Sequence, residues 1–169
     1  METLEAIRTR RSVRKFTAQS IDDSVVEVLL RAAMSAPSAG NQQPWHFIVV
    51  NERVLLDRIP EFSPYAAMCR QAPLGILVCG DTRLEKYPGY WIQDCSAATQ
   101  NLLLAAHDLG LGAVWTGVYP REERIRGFRE AFKLPDHILP LAFVVIGYPA
   151  ERLQPQDRFR PERIHYNRW

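Results

Sequence analysis

Between residues 90 and 109 the side chains Ile92, Cys95, Ala98, Leu102, Leu103, Ala106 and Leu109 recur at helical spacing, and alanine fills many of the positions between them. A helix with so little polar surface needs cover on most sides. It is therefore expected to be the central helix of the fold, and the rest of the chain must supply what packs around it. Gly110-Leu111-Gly112 ends it with the glycine chemistry of a helix C-terminus.

The remaining chain offers that cover in short pieces. Residues 45–50 are a β-rich run ended by Asn51, and residues 74–79 are a compact apolar run bounded by Pro73 and Gly80-Asp81, which predicts a buried central strand. Residues 113–116 and 139–147 predict two more strands. Helices are expected over 2–8, then from Ser20 or Asp22 as cap through the apolar face Val25, Val26, Leu29, Leu30 and Ala33 to a stop at Pro37. A short one is expected over 55–59, and another over 121–132, with Pro120 in its first turn and Ile125, Phe128 and Phe132 on one face. A chain of 169 residues holds one such domain, spanning 1–169.

With 47% apolar and 24% charged residues the composition is that of a packed globular domain, and it excludes disordered, collagenous and disulfide-stapled classes. Cys69, Cys79 and Cys95 form no CxxC pair and fall at apolar positions, so no structural metal, dithiol redox centre or disulfide framework is expected. The start METLEAIRTRRSVRKF has no apolar signal core, and no apolar run is long enough for a bilayer, so a cytoplasmic protein without a membrane partner is expected.

The net charge of +2 conceals a pattern, because 18 of the 21 basic residues are arginine, bunched at 8–14, 121–129 and 152–168. The guanidinium fork matches phosphate and carboxylate, so these clusters fit an anionic ligand, a nucleic acid or a solvated face. In Arg10-Arg11-Ser12-Val13-Arg14 guanidiniums, a hydroxyl and backbone N–H groups can converge on one phosphate, with spacing that suits a mononucleotide. There is no G-x-x-x-x-G-K-[ST] and no G-x-G-x-x-G after a strand. The loop PSAGNQQP over 37–44 supplies neutral donors and acceptors between two prolines, suited to a polar ring edge or to a plain connection. Glycines around 112–117 let a backbone approach a flat ligand.

The last twenty residues hold Leu153, Phe159, Ile164, Tyr166 and Trp169 among several arginines. Side chains of that size gain about 1.5–3 kcal/mol each on burial, so the segment is expected to lie along a surface, its own or a partner's.

Four segments in order, RRSVRKF, APSAGNQQPWHF, LGAVWTGVY and DRFRPERIHYNRW, resemble the nitroreductase family of flavin enzymes, and the resemblance covers nearly the whole chain. It implies an α+β fold, a central, mostly antiparallel sheet wrapped by helices, assembled as an intertwined homodimer with FMN at the subunit interface. The tail, 150–169, would extend onto the partner subunit. By the same resemblance Arg10 and Ser12 look like phosphate ligands, with Arg11 contributing backbone and Arg158 completing the pocket. Arg14 would face the pyrimidine end of the ring, Pro37, Ser38, Asn41 and Gln43 would meet its polar groups, and Trp115, Thr116 and Gly117 would run past it with a backbone N–H at N5. Thr116, Gly117 and Arg14 are thus the catalytic candidates.

The resemblance further implies an NADH- or NADPH-using oxidoreductase working in two half-reactions on a nitroaromatic, a quinone or a similar acceptor. The alternatives of the same family resemblance are reductive dehalogenation and flavin fragmentation; a non-catalytic flavin-binding module and a nucleic-acid-binding protein compete from other classes. No acid–base dyad is expected, and no histidine stands out. Tyr65, Tyr87, Tyr90 and Trp91 either line the open face of the ring or serve as ordinary packing.

Overall fold

The computed structural model describes residues 1–169. Helix α1 (Thr3–Thr9) and helix α2 (Asp23–Met34) precede strand β1 (Trp45–Val50), and α3 (Arg53–Phe62) leads to β2 (Leu74–Asp81). The expected central helix is α4 (Trp91–Asp108), followed by β3 (Gly112–Gly117), α5 (Glu122–Phe132) and β4 (Ile138–Gly147). The four strands form one sheet in the order β1-β2-β4-β3, with every neighbouring pair antiparallel. The crossover from β2 through α4 to β3 leaves a slot between two strands of like direction, and β4 fills it.

Alternation along the strands divides the core in two. Ile76, Val78, Val144 and Ile146 point to one face, where they meet Leu29 and Ala33 of α2 and Cys95, Ala98 and Leu102 of α4. Leu77, Cys79, Phe143 and Val145 point to the other, where Leu56 and Ile59 of α3 and Phe128 of α5 cover them. With helices on both faces, β2 is buried at all eight residues, which is why its sequence is an uninterrupted apolar run. Halfway along α5 Gly127 stands where a Cβ would lie 2.5 Å from Cβ of Phe62, so this glycine lets α5 close on α3.

Pro140 sits inside β4, where a missing N–H would normally break a ladder. It lies at a register shift: Val78 pairs with Ala142 but Cys79 with Pro140, so Leu141 is the extra residue of a bulge. The bulged carbonyl is used twice, accepting N–H bonds from Val118 and Tyr119, both at 3.0 Å. That turn carries the chain off the end of β3.

Three expectations change. Pro120 does not open α5; it follows a cis peptide bond, Arg121 is the N-cap, and the helix starts at Glu122. Asp22 takes the N-cap of α2 without a side-chain bond to its amides. The helix expected over 55–59 is α3, ten residues long with Pro60 in its last turn, and the next stretch forms a 3-10 turn, Pro64–Arg70.

The tail has no home on its own surface. Tyr148 and Ala150 still pair with residues 15–17, through Thr17 N–H to Tyr148 O (2.9 Å) and Ala150 N–H to Lys15 O (2.8 Å). From Arg152 onward every residue is exposed, including Phe159, Ile164, Tyr166 and Trp169. No helix of the chain is long and apolar enough to cross a membrane.

Candidate functional site

The basic segment after α1 lies along the free edge of β3. Ser12 bridges Ala113 in parallel register, and the Val13 N–H donates to Ala113 O at 3.1 Å. The fit depends on Gly112, where a Cβ would meet Cγ1 of Val13 at 2.7 Å. The far side of the segment is laced to the start of the tail: Oε1 of Glu151 accepts the N–H groups of Arg14 (2.8 Å) and Lys15 (3.2 Å), and Nη1 of Arg11 donates to Gln154 O at 2.6 Å. These backbone-level ties set where the arginine side chains project.

They bring Arg10, Arg11 and Arg158 to one cleft of about 1020 Å³, whose rim includes α1 and residues 155–159. Arg10 is half-buried, and burial first, then Arg158, then Arg11, hold its guanidinium below the ordinary arginine value. None of the three makes an ion pair with a carboxylate. Glu2, Glu5 and Asp157 also line the cleft, but none comes within ion-pair distance of the three guanidiniums, which leaves their charge available to an anion. Behind them the Thr9 hydroxyl lies 2.7 Å from Glu5 O and 2.8 Å from Nε2 of His107, which ties the end of α1 to α4. Burial and then Arg10 keep the His107 pKa lowered.

Arg14 is exposed, with Nη1 donating to Ser12 O at 3.3 Å, and it lines neither this cleft nor the smaller cavity beside it. At the other end of β3 the outer edge is open. Val118 donates to Leu141 O, and N–H groups alternate along an antiparallel strand, so the Thr116 amide faces β4 while those of Trp115 and Gly117 face outward. The Thr116 hydroxyl is likewise spent within the sheet, on Phe143 O at 2.7 Å. Trp115 and Gly117 therefore both offer free donors, and at Gly117, the last residue of the strand, a Cβ would touch nothing within 4 Å.

The polar loop has a different anchor. Asp94, buried in the first turn of α4, accepts the Ala39 N–H at 3.0 Å through Oδ1 and the Gln42 amide at 2.7 Å through Oδ2. Oε1 of Gln42 in turn accepts the N–H groups of Lys86 (2.8 Å) and Tyr87 (3.2 Å). Gly40, Asn41 and Gln43 have positive φ, Ser38 Oγ accepts the Gln43 N–H at 3.0 Å, and the side chains of Asn41 and Gln43 remain exposed. Pro37, Ser38, Asn41 and Gln43 thus stand at the β1 edge, whereas Gly117 lies at the β3 edge of the same sheet end. One copy of the chain does not bring the two groups together.

Of the aromatic candidates, Trp91 is core: it is buried, fills the space a Cβ on Gly80 would need, and meets Tyr119 edge-on at 5.1 Å. Tyr65, Tyr87 and Tyr90 are exposed. Sequence reasoning missed Asp94, Gln42, Glu151 and Arg124. Asp94 alone left a signal, a carboxylate in the most apolar helix of the chain. Arg124 reaches from α5 to donate through Nη1 to Gly117 O at 2.7 Å and resembles, in sequence, its arginine neighbours.

A single antiparallel sheet between two helical layers, with unpaired arginines at one edge, a polar loop at the other and an exposed aromatic tail, defines an α+β domain. The chain belongs to the nitroreductase family: it matches the family described as "Nitroreductase family" over residues 7–69 and 62–148. It is 53% identical, over all of its length and 88% of the relative's, to the "Putative NADH dehydrogenase/NAD(P)H nitroreductase" of Methanothermobacter thermautotrophicus. A crystal structure bearing the same name, from Parabacteroides distasonis, superposes with a TM-score of 0.95 at 45% identity, covering 99% of this chain and 98% of that one. An "FMN-dependent Nitroreductase" from Clostridium difficile superposes at 0.91 with 27% identity, covering 98% and 99%.

Proposed function

We propose that the chain is an FMN-dependent oxidoreductase that takes electrons from NADH or NADPH and works as a homodimer in the cytoplasm. One observation carries the reading: Arg10, half-buried beside Arg11 and Arg158 with no carboxylate in ion-pair reach, needs an anion, and a phosphate monoester matches that donor set. The relatives named for NAD(P)H and FMN support the same assignment. Three buried, unpaired thiols support a reducing compartment.

Arg10, Ser12 and Arg158 would hold the phosphate with side chains and Arg11 mainly through its backbone. From Ala113, beside Ser12, to Gly117 the strand runs about 13 Å, long enough for an extended nucleotide tail to end on a flat ring. There the Gly117 N–H is the donor turned toward the ring, Trp115 and Thr116 hold that edge in register, and Arg14 supplies positive charge for the pyrimidine end. When bound, FMN supplies a ring that accepts hydride from the nicotinamide and passes two electrons to a nitroaromatic or quinone in a second half-reaction. Pro37, Ser38, Asn41 and Gln43, too far across the sheet to serve their own chain's Gly117, would serve a second copy's ring, and residues 150–169 would cross onto that copy.

An absorbance spectrum of the purified protein loaded with FMN, followed by anaerobic addition of NADH and NADPH, tests this reading. Flavin bands that bleach with either nucleotide and return with a quinone are the expected result. Bound FMN that neither nucleotide bleaches would leave a flavin-binding module, and failure to bind FMN would overturn the reading of the arginines.

A further inference from the structure

The end of β3 carries a feature that the arginine cluster does not explain. Gly117 turns both its N–H and its C=O to the open edge, because the two groups of one residue face the same side of a strand. A bare edge would set an acceptor dipole beside the donor. Anything that gains electrons while held against the N–H would meet the carbonyl oxygen next to it, and the two would oppose.

In this chain the carbonyl is occupied. Arg124, in the first turn of α5, donates from Nη1 to Gly117 O at 2.7 Å, and its Cζ lies 5.2 Å from the centroid of the Tyr65 ring. Its Nε is buried without an acceptor, and neither Glu122 nor Glu123 beside it in sequence pairs with it. A buried guanidinium N–H left unpaired is costly, and a surface ion pair would have been the easier arrangement. The cation is instead drawn in toward one backbone carbonyl and covered by an aromatic face.

We propose that Arg124, with Tyr65 over it, is a positioning residue that caps the Gly117 carbonyl, so that the end of β3 presents the Gly117 N–H as a lone donor backed by positive charge. The ligand class this favours is a flat ring that gains negative charge on reduction. The inference rests on the reading of this edge as the ring-binding face, and it assigns to Arg124 the tuning of that ring's potential. Binding of the phosphate stays with the arginines at the other end of the strand.

The test compares Arg124→Met, which keeps the stem and removes the cation, with Arg124→Lys, which restores a charged donor. On the FMN-loaded protein, Arg124→Met is expected to make reduction about tenfold less favourable, about 30 mV more negative for a two-electron couple, with FMN affinity changed less than threefold. Arg124→Lys should recover most of the shift, and Tyr65→Leu should give a smaller shift of the same sign should the methionine variant fail to fold. In the FMN-free chain, exchange of the Val118 and Tyr119 amides should be about tenfold faster in Arg124→Met and near wild type in Arg124→Lys. An unchanged potential in variants that bind FMN overturns the inference and leaves the proposed function standing. If the wild-type chain binds no FMN the proposed function fails, and unchanged amide exchange would then overturn the clamp as well.

Discussion

Strand β4 and the tail are both rich in large apolar side chains, yet nine of the ten residues of β4 are buried and every residue from Arg152 to Trp169 is exposed. In β4 the side chains alternate between the two helix-covered cores, Val144 and Ile146 in one and Phe143 and Val145 in the other. In the tail Tyr166 is 85% and Trp169 102% exposed, with only the stacking of Trp169 on His165 for company. The difference separates two kinds of apolar sequence: one satisfied within the chain, the other left exposed by it. The candidate site divides in the same way, into an arginine edge and a polar loop that one copy keeps apart.

The comparison breaks most visibly if the tail is removed. Ending the chain at Pro155 deletes Arg158 and four large apolar residues per copy, each worth about 1.5–3 kcal/mol when buried. Sedimentation should show a dimer for the full chain and a monomer for the shortened one, with FMN retention lost in step; a stable, flavin-loaded dimer of the shortened chain would contradict the account. Next in size, Phe143→Ala opens a cavity between β4 and α5, at about 3–5 kcal/mol. For a domain of this length that lowers the melting temperature by at least about 6 °C. A loss under 1 kcal/mol in denaturant titration would mean that this face of the sheet is looser than its burial indicates.

Smaller still, Arg10→Ala removes one charged donor. Hydrogen bonds to charged groups are worth about 1.5–3 kcal/mol, so FMN binding should weaken about 10- to 100-fold while riboflavin, which lacks the phosphate, binds as before. Equal loss for both ligands would place the arginine elsewhere. The smallest effect concerns the buried thiols. Burial pushes Cys69 and Cys79 up to about 12, and raises Cys95 as well, so all three stay protonated in the native protein between pH 7 and 9. Native protein should therefore resist thiolate-directed labelling across that range and react fully once unfolded; rapid native labelling would show a thiol outside the core.

Much of this was legible in the sequence where the signal was local. Residues 45–50 were bounded by a proline and an asparagine, and the alanine-rich helix announced its own burial. The convergence of Arg10 and Arg11 with Arg158 was not visible in periodicity; it came from resemblance, because the cleft closes across most of the chain, and the same resemblance placed Arg14 nearby where the structure leaves it outside. Pro120 misled because proline suits a helix start and a turn equally, and here the bulge at Leu141 uses the turn. Asp94 and Arg124 were missed because their roles are defined by partners distant in sequence: the loop at Ala39 and Gln42 for one, Gly117 and Tyr65 for the other. The tail's composition predicts that it lies along a surface, its own or a partner's, and the structure shows that its own chain does not cover it.

The central claim is that each FMN site takes its arginine edge from one copy and its polar loop from another, and a mixed dimer tests it most directly. One partner carries Arg10→Ala. The other carries Asn41→Gly with Gln43→Gly, both at positive φ, where glycine adds no backbone strain. Neither variant alone should retain FMN through gel filtration. Unfolded together and refolded, they should recover one loaded site per mixed dimer, built from the intact edge of one chain and the intact loop of the other. A mixture that holds no more FMN than its components would contradict the account.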